Sequence, residues 1–184
     1  MLRVAVIGAG AAGRAFALRC AGAGFAVTLE DVMPEKLRRA QDDYTSLAAG
    51  AGEAGSLRVA LTVEDAVQDA DIAIDFVPDE LESKLEIFSL LDRMAPPRTI
   101  LCTPTQTLSI TDMASCTYRP GLCVGLRSGN LIEGLVDVLR SRFAQAAALA
   151  TVQELLQRMG LESRVVEDHE EPMLVKNMGS AVRN

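Results

Sequence analysis

At 184 residues and 19.6 kDa, the chain is long enough to bury roughly 70% of the surface that its unfolded form exposes, so it needs no disulfide staples. Its 49% hydrophobic and 23% charged residues exclude a collagen-like, mucin-like or wholly disordered protein. The 18 basic and 25 acidic residues give a net charge of -7, which repels phosphate backbones and anionic bilayers, so neither nucleic acid nor membrane is expected as a partner.

Leu2 to Ile7 is apolar apart from Arg3 and ends at Gly8, as a strand buried on both faces of a parallel sheet would. Residues 11–23 read as a helix, Phe25 to Leu29 as a second strand ending in Glu30 and Asp31, and 34–49 as a helix with Pro34 at its first position. The small-residue stretch 49–56 is a loop. Leu57 to Leu61 follows as a short strand, Thr62 caps a helix over 63–69, and Asp71 to Val77 is a further buried strand. Leu81, Leu85, Phe88, Leu91 and Met94 recur at helical spacing until Pro96 and Pro97 stop the element. Strands over Thr99–Thr103 and Leu122–Leu126 enclose a short helix at 109–114. A helix over 143–159 ends at Gly160, and Arg164 to Val166 supplies the last strand. This alternation without hairpins predicts an α/β protein of Rossmann type, a doubly wound, mostly parallel sheet over residues 1–171, with 172–184 as a helical tail.

Four cysteines, Cys20, Cys102, Cys116 and Cys123, form no CxxC pair and read as structural thiols rather than a metal site. The N-terminus lacks the features of a signal peptide, and no apolar run approaches a membrane span, so a cytoplasmic protein is expected.

Gly8-Ala9-Gly10-Ala11-Ala12-Gly13 matches G-x-G-x-x-G between a strand and a helix. The first glycine allows the tight turn, the second lets backbone approach a pyrophosphate, and the third lets the helix lie close to the sheet. Asp31, at the end of the second strand, is placed to accept hydrogen bonds from an adenosine ribose and to repel a 2′-phosphate. Val32, Met33 and Pro34 offer no cation to reverse that preference, so NAD is expected over NADP.

Beyond this loop, the segments Asp71 to Phe88 and Leu108-Ser109-Ile110-Thr111-Asp112 resemble the NAD-binding domain of the 3-hydroxyacyl-CoA dehydrogenases. The resemblance extends over residues 2–180. It implies that Val77, Pro78, Asp79 and Lys84 line the nicotinamide-ribose side of the cleft, and that Thr103 and Asn130 join the cofactor set. A solvated helix face is the alternative for Lys84. Where the family carries Ser-Asn-Thr-Ser, this chain has Thr103-Pro104-Thr105-Gln106, so Gln106 replaces the substrate-contacting serine. Where the family carries its catalytic histidine, this chain has Arg127, which stays protonated and cannot act as a general base. It can bind a carboxylate or phosphate, or a carbonyl oxygen. The family's acidic partner maps to Asp137, which is then expected to lack its usual partner. Near the end, Asp168 and Asn177 match an Asp…Asn pattern after a two-residue insertion, making Asn177 a candidate substrate contact. His169, the single histidine, is a candidate replacement base, with a solvated side chain as the alternative. The region between Asp31 and Asp71 is shorter than the family's, whose helical arm reaches the CoA moiety.

Two functions follow: an NAD-dependent oxidoreductase acting on a β-hydroxy carbonyl compound through an altered site, or an NAD(H)-binding protein that has lost dehydrogenase chemistry. The expected partner is a small-molecule substrate, with a thioester among the candidates. The family's helical second domain has no counterpart in these residues, so a homodimer or a separate helical partner is expected, with the stretch 172–184, through Pro172, Met173, Leu174, Val175 and Met178, as the contact surface.

Overall fold

The structure, a computed structural model, describes residues 1–49 and 55–169. Elements follow in the order β1 (Arg3–Ile7), α1 (Ala11–Gly22), β2 (Ala26–Glu30), α2 (Pro34–Ala48), β3 (Ser56–Ala60), α3 (Val63–Val67), β4 (Ile72–Asp75), α4 (Leu81–Met94), β5 (Ile100–Pro104) and α5 (Ile110–Ser115). After a 3₁₀ turn at Pro120–Leu122 come β6 (Cys123–Arg127), β7 (Leu135–Arg140), α6 (Ala146–Arg158) and β8 (Glu162–Glu167). The predicted tail at 172–184, with the contact surface expected there, lies outside the described residues.

The eight strands form one sheet in the order β3-β2-β1-β4-β5-β6-β7-β8. Its central strands are apolar on both faces because helices cover both. Val4 and Val6 of β1 point into one core with Phe16, Ala17 and Cys20 of α1 and Leu149 and Val152 of α6. Ala5 and Ile7 point into the other, with Ile87, Phe88 and Leu91 of α4 and Ile110 and Met113 of α5. The order reverses between β1 and β4, and the crevice outside the carboxyl ends of those strands is where this topology binds ligands.

The sequence reading missed one strand. Leu135–Arg140 forms β7, which pairs antiparallel with β6 (Leu126 opposite Val138), and β8 then runs parallel to β7. Val136 and Val138 face the core while Asp137 faces the other side, a period-2 pattern too short to stand out. The turn between β6 and β7 is built from polar side chains. Ser128 Oγ donates to the Asn130 and Leu135 carbonyls, Asn130 Oδ1 accepts from Ile132 N–H, and Gly134 takes φ +87°. The last long helix begins at Ala146 rather than at 143. Thr62 and Gly160 cap as expected: Thr62 accepts from Asp65 N–H, and Gly160 adopts φ +76°. Cys20, Cys102 and Cys123 are buried and Cys116 is exposed. No helix among the described residues is long and apolar enough to cross a membrane.

Lys84 does not take the alternative of a solvated helix face. It is 1% exposed, and its ammonium donates to Asp75 Oδ1 at 2.7 Å, beneath the carboxyl end of β4. Burial pushes the Asp75 carboxyl up, while the Lys84 ammonium favours its charged form. A buried pair of this kind is costly to break from one side because the remaining charge is left uncompensated. Lys84→Ala should therefore lower unfolding free energy by about 3–5 kcal/mol. A Lys84→Met, Asp75→Leu double variant should recover most of that loss in denaturant titrations, and a double variant no more stable than the single would contradict the pairing.

Candidate functional site

The turn out of β1 is set by Gly8, at φ +100°, and by Gly13, where a Cβ would lie 1.9 Å from the Gly8 carbonyl oxygen. Gly10 differs from both. It is the N-cap of α1 without a side-chain cap, and a Cβ there would meet nothing within 4 Å. Gly10, Ala11 and Ala12 are exposed, and no acidic residue sits in the first turn. The first amides of a twelve-residue helix therefore face open space at its positive end, a cradle that fits a pyrophosphate.

Asp31 lies beside this turn but is busier than expected. Its Oδ2 accepts from Ala9 N–H at 2.9 Å and from Lys36 Nζ at 3.2 Å, while Oδ1 accepts from Met33 N–H at 2.9 Å. Burial raises its pKa, but these two N–H groups and the ammonium outweigh that and hold the carboxyl below its ordinary value. A cation does reach this acid: Lys36, the third residue of α2, lies beyond the Val32, Met33 and Pro34 considered in the sequence.

Across the switch point, Val77 and Pro78 line a cavity of about 280 Å³ with Ser83 and Ile87. Asp79 Oδ2 accepts from Gln106 N–H at 2.8 Å, and Gln106 Nε2 donates to the Ser128 carbonyl at 2.6 Å. Gln106 thus ties together the loops after β4, β5 and β6. Lys84 lies below this wall, and Thr103 is fully buried, so both sit under the cleft rather than on its surface. Asn130 is used within the β6–β7 turn, its Nδ2 donating to Glu133 at 2.9 Å.

At the third corner, register decides the arrangement. Arg127 stands opposite Asp137, and Asp137 beside Arg164, so three ionic side chains form a row across β6, β7 and β8. Asp137 does not lack a partner: its Oδ1 accepts from Arg164 Nε at 2.6 Å. Arg127 has no acidic partner among the described residues. Its Nη2 lies 3.4 Å from His169 Nε2, and its Nε is buried without a hydrogen bond. His169 is carried there by Asp168, whose Oδ2 accepts from Ser109 Oγ and Thr111 N–H, both at 2.7 Å, pinning the end of β8 onto α5. Burial raises the Asp168 pKa, but those donors more than offset it and the carboxyl stays depressed. Asn177 lies outside the described residues. The structure thus brings Gly8 to Gly13 and Asp31 together, and separately Arg127 and His169, while Gln106 is tied to Asp79 and Ser128. The partners Lys36, Asp75 and Arg164 were missed, and only strand register or helix phase could have pointed to them.

Residues 3–169 match the family model described as 3-hydroxyacyl-CoA dehydrogenase, NAD binding domain. A probable 3-hydroxybutyryl-CoA dehydrogenase of Bacillus subtilis (strain 168) is 31% identical over 189 residues, spanning 95% of this chain and 65% of that protein. A 5-formyl-3-hydroxy-2-methylpyridine 4-carboxylate 5-dehydrogenase of Mesorhizobium japonicum is 27% identical, spanning 89% of this chain and 57% of its own. Among solved structures, the 3-hydroxyacyl-CoA dehydrogenase of Archaeoglobus fulgidus superposes with a TM-score of 0.78 at 28% identity, over 99% of this chain and 61% of that one. The chain therefore spans less than two thirds of the length of these relatives. It belongs to the family of the 3-hydroxyacyl-CoA dehydrogenase NAD-binding domain, and its cofactor is NAD.

Proposed function

We propose that the chain serves an NAD-dependent oxidoreductase of 3-hydroxyacyl-CoA dehydrogenase type, acting on a β-hydroxy carbonyl substrate through an altered proton-transfer site. The observation that carries this reading is the single histidine lying 3.4 Å from Arg127, the residue in the place of the family's base. NAD, when bound, supplies the hydride acceptor. The amides after Gly10 would hold its pyrophosphate, and the remaining acceptor capacity of Asp31 would meet the adenosine ribose. Asp79, fixed by Gln106, would face the nicotinamide ribose. Arg127 stays charged, so it can hold a substrate oxygen but not remove a proton. His169 is the neighbouring group whose imidazole can take the hydroxyl proton. Asn177 remains a proposed substrate contact.

The relatives' names support a dehydrogenase, and that of the Mesorhizobium japonicum protein extends the class beyond CoA thioesters. A second reading, an NAD(H)-binding partner subunit without chemistry, is favoured by Pro104 and Arg127 in place of the family's polar and basic side chains, and by the engagement of Asp137 with Arg164.

Gly10→Val should weaken NADH binding more than about tenfold without lowering thermal stability, because the added side chain enters ligand space rather than protein. Fluorescence titration beside a thermal melt would check both, and no NADH binding to the unaltered chain would defeat the reading. Asp31→Ala should narrow the preference for NADH over NADPH by about one to two orders of magnitude. It removes a like charge from the 2′-phosphate and leaves the Lys36 ammonium there. Equal affinity of the unaltered protein for the two cofactors would contradict the role of Asp31. Turnover is assayed on 3-hydroxybutyryl-CoA and on free 3-hydroxybutyrate. His169→Ala should lower it by about 10²-fold or more, the usual contribution of a general base. Arg127→His with Gln106→Ser should raise it on the thioester. Absence of turnover in all these forms would favour the binding-subunit reading.

A further inference from the structure

We infer that Arg127 is the anchor for a carboxylate on the substrate, so that the chain takes a small free β-hydroxy or β-keto acid rather than a thioester. This rests on the dehydrogenase reading above for the site's place beside the cofactor. The charge distribution carries the inference. In the row Arg127, Asp137 and Arg164, the one carboxylate is drawn to Arg164, at 2.6 Å and 3.5 Å, leaving Arg127 without an acidic partner among the described residues of a chain of net charge -7. Nε and Nη2 form one edge of the guanidinium, with two parallel N–H groups suited to a carboxylate fork. On this edge Nε is buried and unbonded among the described residues, and Nη2 has only the long contact to His169. A buried donor without an acceptor costs free energy that a ligand supplying one would recover.

The position fits. Arg127 ends β6, whose neighbour β5 ends at Pro104, opposite Leu126, on the carboxyl edge of the sheet that also carries the cofactor loop. An acid group held here would sit one methylene away from the reacting β-carbon, where a thioester would present only a neutral carbonyl. The His169 ring has room to leave the edge, since it also lines a cavity of about 230 Å³ with Thr111, Arg140, Arg142, Glu167 and Asp168. A carboxylate that displaces it takes both N–H groups and frees His169 Nε2 to face the substrate hydroxyl.

Calorimetric titration of the full chain with acetoacetate, with its neutral methyl ester and with acetoacetyl-CoA, each with and without NADH, tests the assignment. Acetoacetate should bind at least about tenfold more tightly than the ester. Arg127→Gln should weaken acetoacetate binding by about 10- to 100-fold, the range of a charged hydrogen-bonded contact. Arg127→Lys should fall between, and NADH affinity should not change in either variant, which also reports that they fold. Equal affinity for acid and ester, no loss in Arg127→Gln, or tighter acetoacetyl-CoA binding that ignores the substitution would overturn the inference. Failure of the unaltered chain to bind NADH would overturn the dehydrogenase reading instead, while the cofactor-free arms still decide Arg127.

Discussion

The close seating of α1 on the turn out of β1 is the constraint from which the rest of the cleft follows. Gly13 lies so near the Gly8 carbonyl that a methyl group would overlap it, and Phe76, at the end of β4, closes the same contact from the other side. The Phe16 and Phe76 rings, 5.4 Å apart, tie helix and strand together. This contact fixes the first amides of α1 relative to the carboxyl ends of both central strands, so the helix dipole points into the crevice at the point where strand order reverses. Core packing and anion binding are here consequences of the same missing side chains.

A second polar anchor lies under the opposite wall. Asp75 ends β4 and Lys84 sits one turn into α4, so their buried contact spans the loop Val77 to Glu80 and holds it from below. Above that loop, Asp79 and Gln106 close the chain of contacts to Ser128. The wall is thus supported from inside the protein and tied across its rim. Its exposed residues can change without loss of the frame, which is how a site can be rebuilt on a retained cofactor fold.

The proposed function places that rebuilding at the third corner. An arginine at the end of β6 cannot do a histidine's work, and the acid that faces it across the strand pair is turned toward Arg164. Two features stand in this corner: a histidine brought in from the end of β8, and a guanidinium edge whose Nε has no hydrogen bond among the described residues. The position of the histidine rests on the Asp168 bracket to Ser109 and Thr111, which joins the end of β8 to α5. In the proposed function, proton transfer falls to His169 and substrate recognition to Arg127.

The glycine loop, Asp31 and the order of most elements were legible in the sequence because each rests on local chemistry: a turn that needs glycine, a strand apolar on both faces, a helix with an apolar stripe. The substitutions at Pro104, Gln106 and Arg127 were legible too, since a change of residue type is read directly. Strand β7 was not, because its two inward valines flank an acid and its direction depends on the turn before it. Nor were the partners of the charged side chains. Lys36 on Asp31, Lys84 on Asp75 and Arg164 on Asp137 are chosen by helix phase and strand register, which bring together residues 5, 9 and 27 positions apart. The sequence by itself determined which groups were available and where the cofactor turn lay. Only the tertiary structure decided which charges cancel and which, as at Arg127, find no acidic partner among the described residues, because that balance depends on distances of a few ångströms between elements that the sequence does not place.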